Sequence, residues 1–372
     1  MYFYATNLQF MAFTKKNASA LSERDGISMP PSINNKAATR VQNLRSKTLD
    51  IEALSQQLLA GNITALSQGI TLIESTQTKH QIAAAKLIAS CLPHANQSIR
   101  IGITGVPGVG KSTFIEAFGN YLTGLGKKVA VLAVDPSSSL SHGSILGDKT
   151  RMEELVKNPM AFIRPSAAGT TLGGVARKTR ETILLCEASG FDTILIETVG
   201  VGQSETAVHS LVDFFLLLKI AGAGDELQGI KRGIMEMADA IVINKADGDN
   251  LKKVQLARAE FARALHLFPA KLSGWEPKVL CCSALTQAGI PEVYTLISTY
   301  LDNAKQSGYF EKNRAEQNQY WMMETIQEQL NLHFFSHPER MALLESYKNR
   351  VMQNEISPFE AAQKVLAHYF SS

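Results

Sequence analysis

Apolar positions divide the chain into three stretches with different periods. From residue 50 to about 95 they recur every three or four residues: Leu54, Leu58 and Leu59, then Leu66, Ile70 and Ile73, then Ile82, Ala85 and Ile88. That spacing predicts successive amphipathic helices. Gly61-Asn62 separates the first from the second, and the side-chain oxygen of Asn62 suits an N-cap. From 99 to about 300 the pattern changes to short continuous apolar runs: 100-RIGITG-105, 129-VAVLAVD-135, 193-TILIET-198, 213-DFFLLLK-219, 240-AIVINK-245 and 278-KVLCCSA-284. Helical segments carrying Leu122, Leu155, Ile183 and Leu256 fall between them. Runs apolar on both faces, alternating with helices, predict an α/β fold with a doubly wound, mostly parallel sheet. Beyond about 310 the helical period returns. Met322, Ile326 and Leu330 form an apolar stripe with Trp321 beside it, and 357-SPFE-360 is a capping box that starts a last helix toward Tyr369. Such an arm either packs on its own domain or pairs with a second copy.

The expected organisation is therefore a helical segment over 49–97, a nucleotide-binding domain over 98–305 and a helical arm over 306–372. Residues 1–48 have no sustained period, carry 26-GISMPPSINNKA-37, and read as a disordered extension. Lys15, Lys16, Arg40 and Arg45 raise a mitochondrial transit peptide as the alternative. Glu23, Asp25 and the want of an arginine-rich amphipathic helix favour a cytoplasmic protein instead. The net charge of +3, with basic residues scattered, argues against nucleic acid or an anionic membrane as partner. The strongest apolar run, 214-FFLLLKI-220, is too short to span a bilayer and is interrupted by Lys219. Four cysteines without a CxxC pair and eight dispersed histidines weigh against metal storage or delivery.

The chemistry begins at 105-GVPGVGKST-113, which satisfies G-x-x-x-x-G-K-[ST] between a predicted strand and a predicted helix. Gly105, Val106, Pro107, Gly108, Val109 and Gly110 would wrap the phosphates, all but Pro107 able to donate a backbone N–H, helped by the helix N-terminus. Lys111 brings positive charge to the β- and γ-phosphates, Ser112 offers a hydroxyl to Mg²⁺, and Thr113 closes the motif. The base is read at 244-NKAD-247: the carboxylate of Asp247 can accept from both the ring N–H and the exocyclic amine of guanine, a donor pair that adenine lacks. Asn244 and Lys245 would buttress that loop. After the last strand, Ser283, Ala284 and Leu285 stand where GTPases turn a backbone N–H toward the guanine carbonyl. The nucleotide is GTP, hydrolysed to GDP.

Asp135 and Glu197 end predicted strands and Asp148 lies in 147-GDKTR-151, so all three are candidates to hold Mg²⁺ directly or through its waters, although Asp148 alone would suit a solvated loop equally. In 197-ETVGVGQSE-205, Gly200 can donate its N–H to the γ-phosphate. Val201 fills the position where many GTPases carry a water-orienting glutamine, and Gln203 sits two residues further on. Valine can neither orient nor polarise water, which predicts slow intrinsic hydrolysis. The loop 222-GAGDELQGIKRG-233 sets Asp225, Glu226, Gln228 and Lys231 between glycines that can act as hinges and reads as a mobile switch.

Taken together, 105-GVPGVGKST-113, 135-DPSS-138, 144-SILGDKTRM-152, 172-LGGVA-176, 197-ETVGVGQSE-205, 222-GAGDELQGIK-231 and 244-NKAD-247 closely resemble the methylmalonyl-CoA mutase-associated GTPases, the bacterial MeaB and mitochondrial MMAA proteins. The likeness runs over about 50–370. It implies a homodimeric chaperone that uses GTP to gate delivery of adenosylcobalamin to methylmalonyl-CoA mutase, or a related cobalamin-dependent acyl-CoA mutase, and that protects this enzyme. A cobalamin adenosyltransferase is a further implied partner. By the same resemblance Lys111, Glu197, Asp225 and Lys231 carry catalysis, Ser112, Asp135, Asp148 and Glu197 surround Mg²⁺, and the C-terminal helices pair. Two other functions fit a phosphate loop: a kinase linked to amino-acid transport, and a GTPase that inserts nickel or another metal. The first lacks an H-R-D-type loop and sits badly with guanine selectivity; the second lacks histidine runs and paired cysteines.

Overall fold

A computed structural model describes residues 50–134, 152–165, 172–198, 204–222 and 232–371. Three helices come first, α1 (Ile51–Leu59), α2 (Ile63–Glu74) and α3 (Thr78–Cys91). Asp50 caps α1 by accepting from the N–H groups of Glu52 and Ala53, and Asn62 caps α2 by accepting from Thr64 and Ala65. There follow β1 (Ile99–Gly105), α4 (Lys111–Gly124), β2 (Val129–Val134), α5 (Glu153–Lys157), β3 (Ala161–Arg164), α6 (Leu172–Ala188), β4 (Thr193–Thr198), α7 (Ser204–His209) and β5 (Phe214–Ile220). The chain continues through α8 (Arg232–Met237), β6 (Ala240–Asn244), α9 (Leu251–Leu265), β7 (Lys278–Cys281) and α10 (Ile290–Gln306). It ends with α11 (Tyr309–Phe335), α12 (Pro338–Met352) and α13 (Pro358–Ser371). Ser357 caps the last of these, accepting from the N–H of Glu360 at 3.1 Å. None of the described helices is long and apolar enough to cross a membrane.

The seven strands form one sheet in the order β3-β2-β4-β1-β5-β6-β7, and every pairing is parallel. Successive side chains leave a strand on opposite faces, and each face is covered by helices, which is why the runs are apolar throughout. In β5, Phe215 joins the layer containing α1, α2, α3 and α6, whereas Phe214 joins the layer containing α4 and α10. Ile194 and Ile196 face the first layer, and Leu195 faces the second. A third cluster, with Leu217, Ile241, Ile243 and Phe261, packs α9 against β5 and β6. The strand β3 has no counterpart in the sequence expectations. It has four residues at the edge of the sheet and only Phe162 is buried, so its run is too short to stand out.

Phe215 of β5, with α7 and the segment after it, packs especially closely on β1. A Cβ at Gly102, in the middle of β1, would lie 2.8 Å from Phe215 Cδ2, 3.1 Å from Val208 Cγ1 and 3.2 Å from Val212 Cγ2. Gly102→Ala is expected to cost about 1–3 kcal/mol of stability through overpacking, read by denaturant unfolding. An unchanged midpoint would show that Phe215, Val208 and Val212 can retreat from the strand at no cost.

Candidate nucleotide site

In parallel sheets of this kind ligands bind beyond the carboxyl ends of the strands, where the connections leave in opposite directions. Here β1, paired between β4 and β5, delivers its last residue to that place. Gly105 has φ +154°, and a Cβ there would lie 2.6 Å from the carbonyl oxygen of Leu218 on β5, so only glycine lets the chain turn off the sheet so tightly. Val109 is fully buried and donates its N–H to Val106 O at 3.3 Å, anchoring the far side of the loop. Pro107 and Gly108 are exposed at the tip. Gly110 is the N-cap of α4, so the N–H groups of Lys111, Ser112 and Thr113 fall in a first helical turn and have no intrahelical acceptor. Those are the donors an oxyanion needs.

Lys111 is 9 % exposed, and its ammonium reaches back to donate to Gly105 O at 2.8 Å and Val106 O at 3.3 Å. Burial lowers its pKa, and the negative charges of Glu197 and Glu205 oppose that shift. A cation held in so dry a place acts on phosphate oxygens with less screening than one in water. Ser112 Oγ lies 3.4 Å from Glu197 Oε1, which puts a hydroxyl and a carboxylate oxygen at one point beside the lysine. Two hard oxygen donors of this kind fit Mg²⁺. A buried hydrogen bond from Thr198 Oγ1 to Thr104 Oγ1, 2.8 Å, ties β4 to β1 at this level.

The base-reading residues meet the phosphate loop directly. Asn244, at the end of β6, donates from Nδ2 to Val109 O at 3.0 Å and accepts at Oδ1 from the N–H of Ala284 at 3.1 Å. One amide thus joins three segments, two of them separated by 135 residues from each other. Lys245 sits at φ +60° and donates from Nζ to Gly108 O at 2.9 Å. The fully buried Ser283 donates its hydroxyl to Asp247 Oδ2 and accepts from the N–H of Thr286 at 3.1 Å, so the carboxylate is oriented before any base arrives. Because the N–H of Ala284 is taken by Asn244, a guanine carbonyl has to compete for it or use the next N–H, that of the exposed Leu285.

Of the residues singled out from sequence, Gly105 to Thr113, Glu197, Asn244, Lys245, Asp247 and Ser283 to Leu285 are brought together here. Asp135, Asp148, Gly200, Val201, Gln203, Asp225, Glu226, Gln228 and Lys231 lie outside the described residues. Two contributors carry no clear sequence signal. Cys282, fully buried, donates its thiol to Asn244 Oδ1 at 3.6 Å, and burial pushes its pKa up to about 12, so it stays protonated and able to donate. Glu205 is buried on α7, inside a motif already quoted, at 3 % exposure.

Residues 66–339 match the sequence model of the family described as "Methylmalonyl Co-A mutase-associated GTPase MeaB". The chain belongs to this family. It is a P-loop GTPase. A relative from Escherichia coli, "GTPase ArgK", is 45% identical over 320 residues, 85% of this chain and 96% of that one. A relative from Mus musculus, "Methylmalonic aciduria type A homolog, mitochondrial", is 44% identical over 331 residues, 86% of this chain and 80% of that one. The solved structure called "Crystal structure of LAO/AO transport system kinase" superposes with a TM-score of 0.70 at 37% identity, covering 88% of this chain and 100% of that one.

Proposed function

We propose that this GTPase is a nucleotide-operated chaperone that gates delivery of adenosylcobalamin to methylmalonyl-CoA mutase, or to a related cobalamin-dependent acyl-CoA mutase, and protects that enzyme. The observation that supports this reading is the joining of the phosphate loop to the base-reading loop through Asn244, in a family named for association with that mutase. Bound Mg²⁺ neutralises charge on the β- and γ-phosphates. Ser112 and Glu197 would hold it, with Asp135 and Asp148 as the further carboxylates. Lys111 holds the phosphates and Asp247 selects the base. Val201 stands where glutamine would orient the attacking water, so the chain alone turns over slowly, and the loop containing Asp225 and Lys231 supplies the missing element when the partner docks.

The C-terminal helices favour pairing with a second copy. Met322, Met323, Ile326 and Leu330 on α11 are between 45 % and 57 % exposed, and Phe359 and Phe370 on α13 are at least 80 % exposed. Large apolar side chains left exposed along a helix are a usual mark of an interface. A cobalamin adenosyltransferase would be the donor of the cargo. The setting is cytoplasmic, with a mitochondrial one, as in the mouse relative's name, as the alternative if residues 1–48 include a transit peptide.

The test is the GTP hydrolysis rate of the purified protein with and without methylmalonyl-CoA mutase. The expected result is a slow basal rate that rises on the order of tenfold or more when the mutase is added. A rate indifferent to mutase, with GTP binding intact, would remove this partner and leave the GTPase. The solved relative named as a transport system kinase points to a second outcome: label from the γ-phosphate on a protein acceptor instead of release as inorganic phosphate.

A further inference from the structure

One face of α11 carries a row of buried polar contacts that the nucleotide chemistry does not use. Arg314, Gln317 and Trp321 follow one another at three- and four-residue spacing, so they share a face of the helix. Each is at most 7 % exposed. Trp321 donates its indole N–H to Ser210 O at 3.1 Å, and Gln317 donates from Nε2 to Val212 O at 2.8 Å. Arg314 grips the carboxylate of Asp213 with Nε at 2.8 Å and Nη2 at 2.7 Å, and donates to Asn96 O at 2.7 Å and Ser98 O at 2.6 Å. Three rungs therefore hold the short segment 210–213, and Arg314 ties it to the start of β1 as well.

That segment is the continuation of α7. The helix begins at Ser204, inside 197-ETVGVGQSE-205, and its first turn carries buried Glu205, whose charge acts on the ammonium of Lys111. Its last turn and the following segment lie against β1, with Val208 and Val212 closing on Gly102. One short element thus lies against β1, the strand that ends in the phosphate loop at Gly105, and is held on its other side by the rungs on α11. A second observation marks the seam as incompletely paired: Gln317 Oε1 is buried and has no hydrogen-bond partner among the described residues. Buried acceptors are seldom left so, and those that are call for a physical explanation. A displacement of 1–2 Å, the usual scale of helix shifts in switching proteins, is enough to exchange such rungs, since an N–H···O contact of 3.6 Å is no longer a hydrogen bond.

We infer that segment 210–213, held by Arg314, Gln317 and Trp321, carries the nucleotide state of the phosphate loop to α11 and so to the C-terminal helices. Arg314 and Asp213 form the fixed end of this seam, because a bidentate buried ion pair is costly to break. Gln317 and Trp321 are the rungs free to exchange. They are positioning residues and touch no substrate. The inference rests on the reading that GTP binds at Gly105 to Thr113.

The sequence contains two tryptophans, so Trp275→Phe leaves Trp321 as the only indole in the full-length chain. Its emission is recorded at saturating GDP and at saturating non-hydrolysable GTP analogue, each with Mg²⁺, and binding is measured separately by calorimetry. Amide hydrogen exchange of residues 314–325 in the unsubstituted protein gives the same reading without touching Trp275. The expected result is an emission shift between the two nucleotides and exchange rates that differ by roughly fivefold or more. In Gln317→Met, which keeps the volume and removes the rung, basal hydrolysis stays within about twofold while the exchange difference falls to about twofold or less. Both nucleotides binding without any change in emission or exchange overturns the inference. A response undiminished in Gln317→Met overturns it too, because the signal then travels by another route. Failure of either nucleotide to bind overturns the GTP reading itself, and calorimetry makes that outcome distinct.

Discussion

Replacing Asp247 by asparagine is expected to turn preference from GTP to xanthosine triphosphate, with guanine selectivity reduced on the order of 10⁴-fold. A carboxylate accepts from both the ring N–H and the exocyclic amine of guanine. The amide of asparagine offers one acceptor and one donor, which fits xanthine, where a carbonyl replaces the amine. The replacement should fold and keep its orientation. Asp247 is half-buried, and its neighbour Ser283 can donate to an amide oxygen as it now donates to Asp247 Oδ2. Competition between the two triphosphates for the purified variant reads the effect directly. Selectivity left unchanged would mean that another part of the site, such as the loop through Ser283 to Leu285, discriminates between bases.

Lys111→Ala is expected to weaken GTP binding by roughly 30- to 4,000-fold, from the about 2–5 kcal/mol that removing one partner of a buried charge contact costs at about 1.4 kcal/mol per tenfold. The ammonium is buried and poised beside the phosphate loop, held by Gly105 O and Val106 O. Removing it withdraws the ammonium placed to meet the phosphates and its hydrogen bond to Gly105 O, while Val106 O keeps the N–H of Val109. Melting temperature and circular dichroism of the variant separate lost affinity from lost fold. A folded Lys111→Ala protein that binds GTP as before would put the phosphates elsewhere.

Both predictions concern residues that stand out in the linear sequence, and the reason is physical. A phosphate is bound by the backbone of consecutive residues, so its requirements for Gly105, Gly110, Lys111 and Ser112 are compressed into one short stretch. The alternation of apolar runs with helical periods is equally local, because a strand buried on both faces shows itself residue by residue. Six of the seven strands are visible on that basis. The seventh, Ala161–Arg164, lies at the edge, where a single buried side chain leaves no run to see.

Contacts between distant segments are not legible in this way. Trp321 stands beside an apolar stripe in the sequence and by spacing alone could belong to it, yet in the fold it turns inward to Ser210 while Met322, Ile326 and Leu330 stay out in solvent. Neither helical period nor composition separates these neighbours, since the direction of a side chain depends on what the helix is packed against. Asn244 is likewise a polar residue at the end of a strand until the fold brings Val109 and Ala284 within reach of one amide.

By itself, then, the sequence determined the class of sheet, the phosphate loop, the guanine preference and the family, because each depends on residues close in the chain or on a motif of fixed spacing. Only the tertiary structure decided how the phosphate and base loops are locked together, which residues of α11 face inward, and that the segment after α7 is held by that helix. Those outcomes depend on burial and on hydrogen bonds across 100 residues or more of chain, and a linear pattern carries no record of which distant groups will satisfy one another once water is excluded.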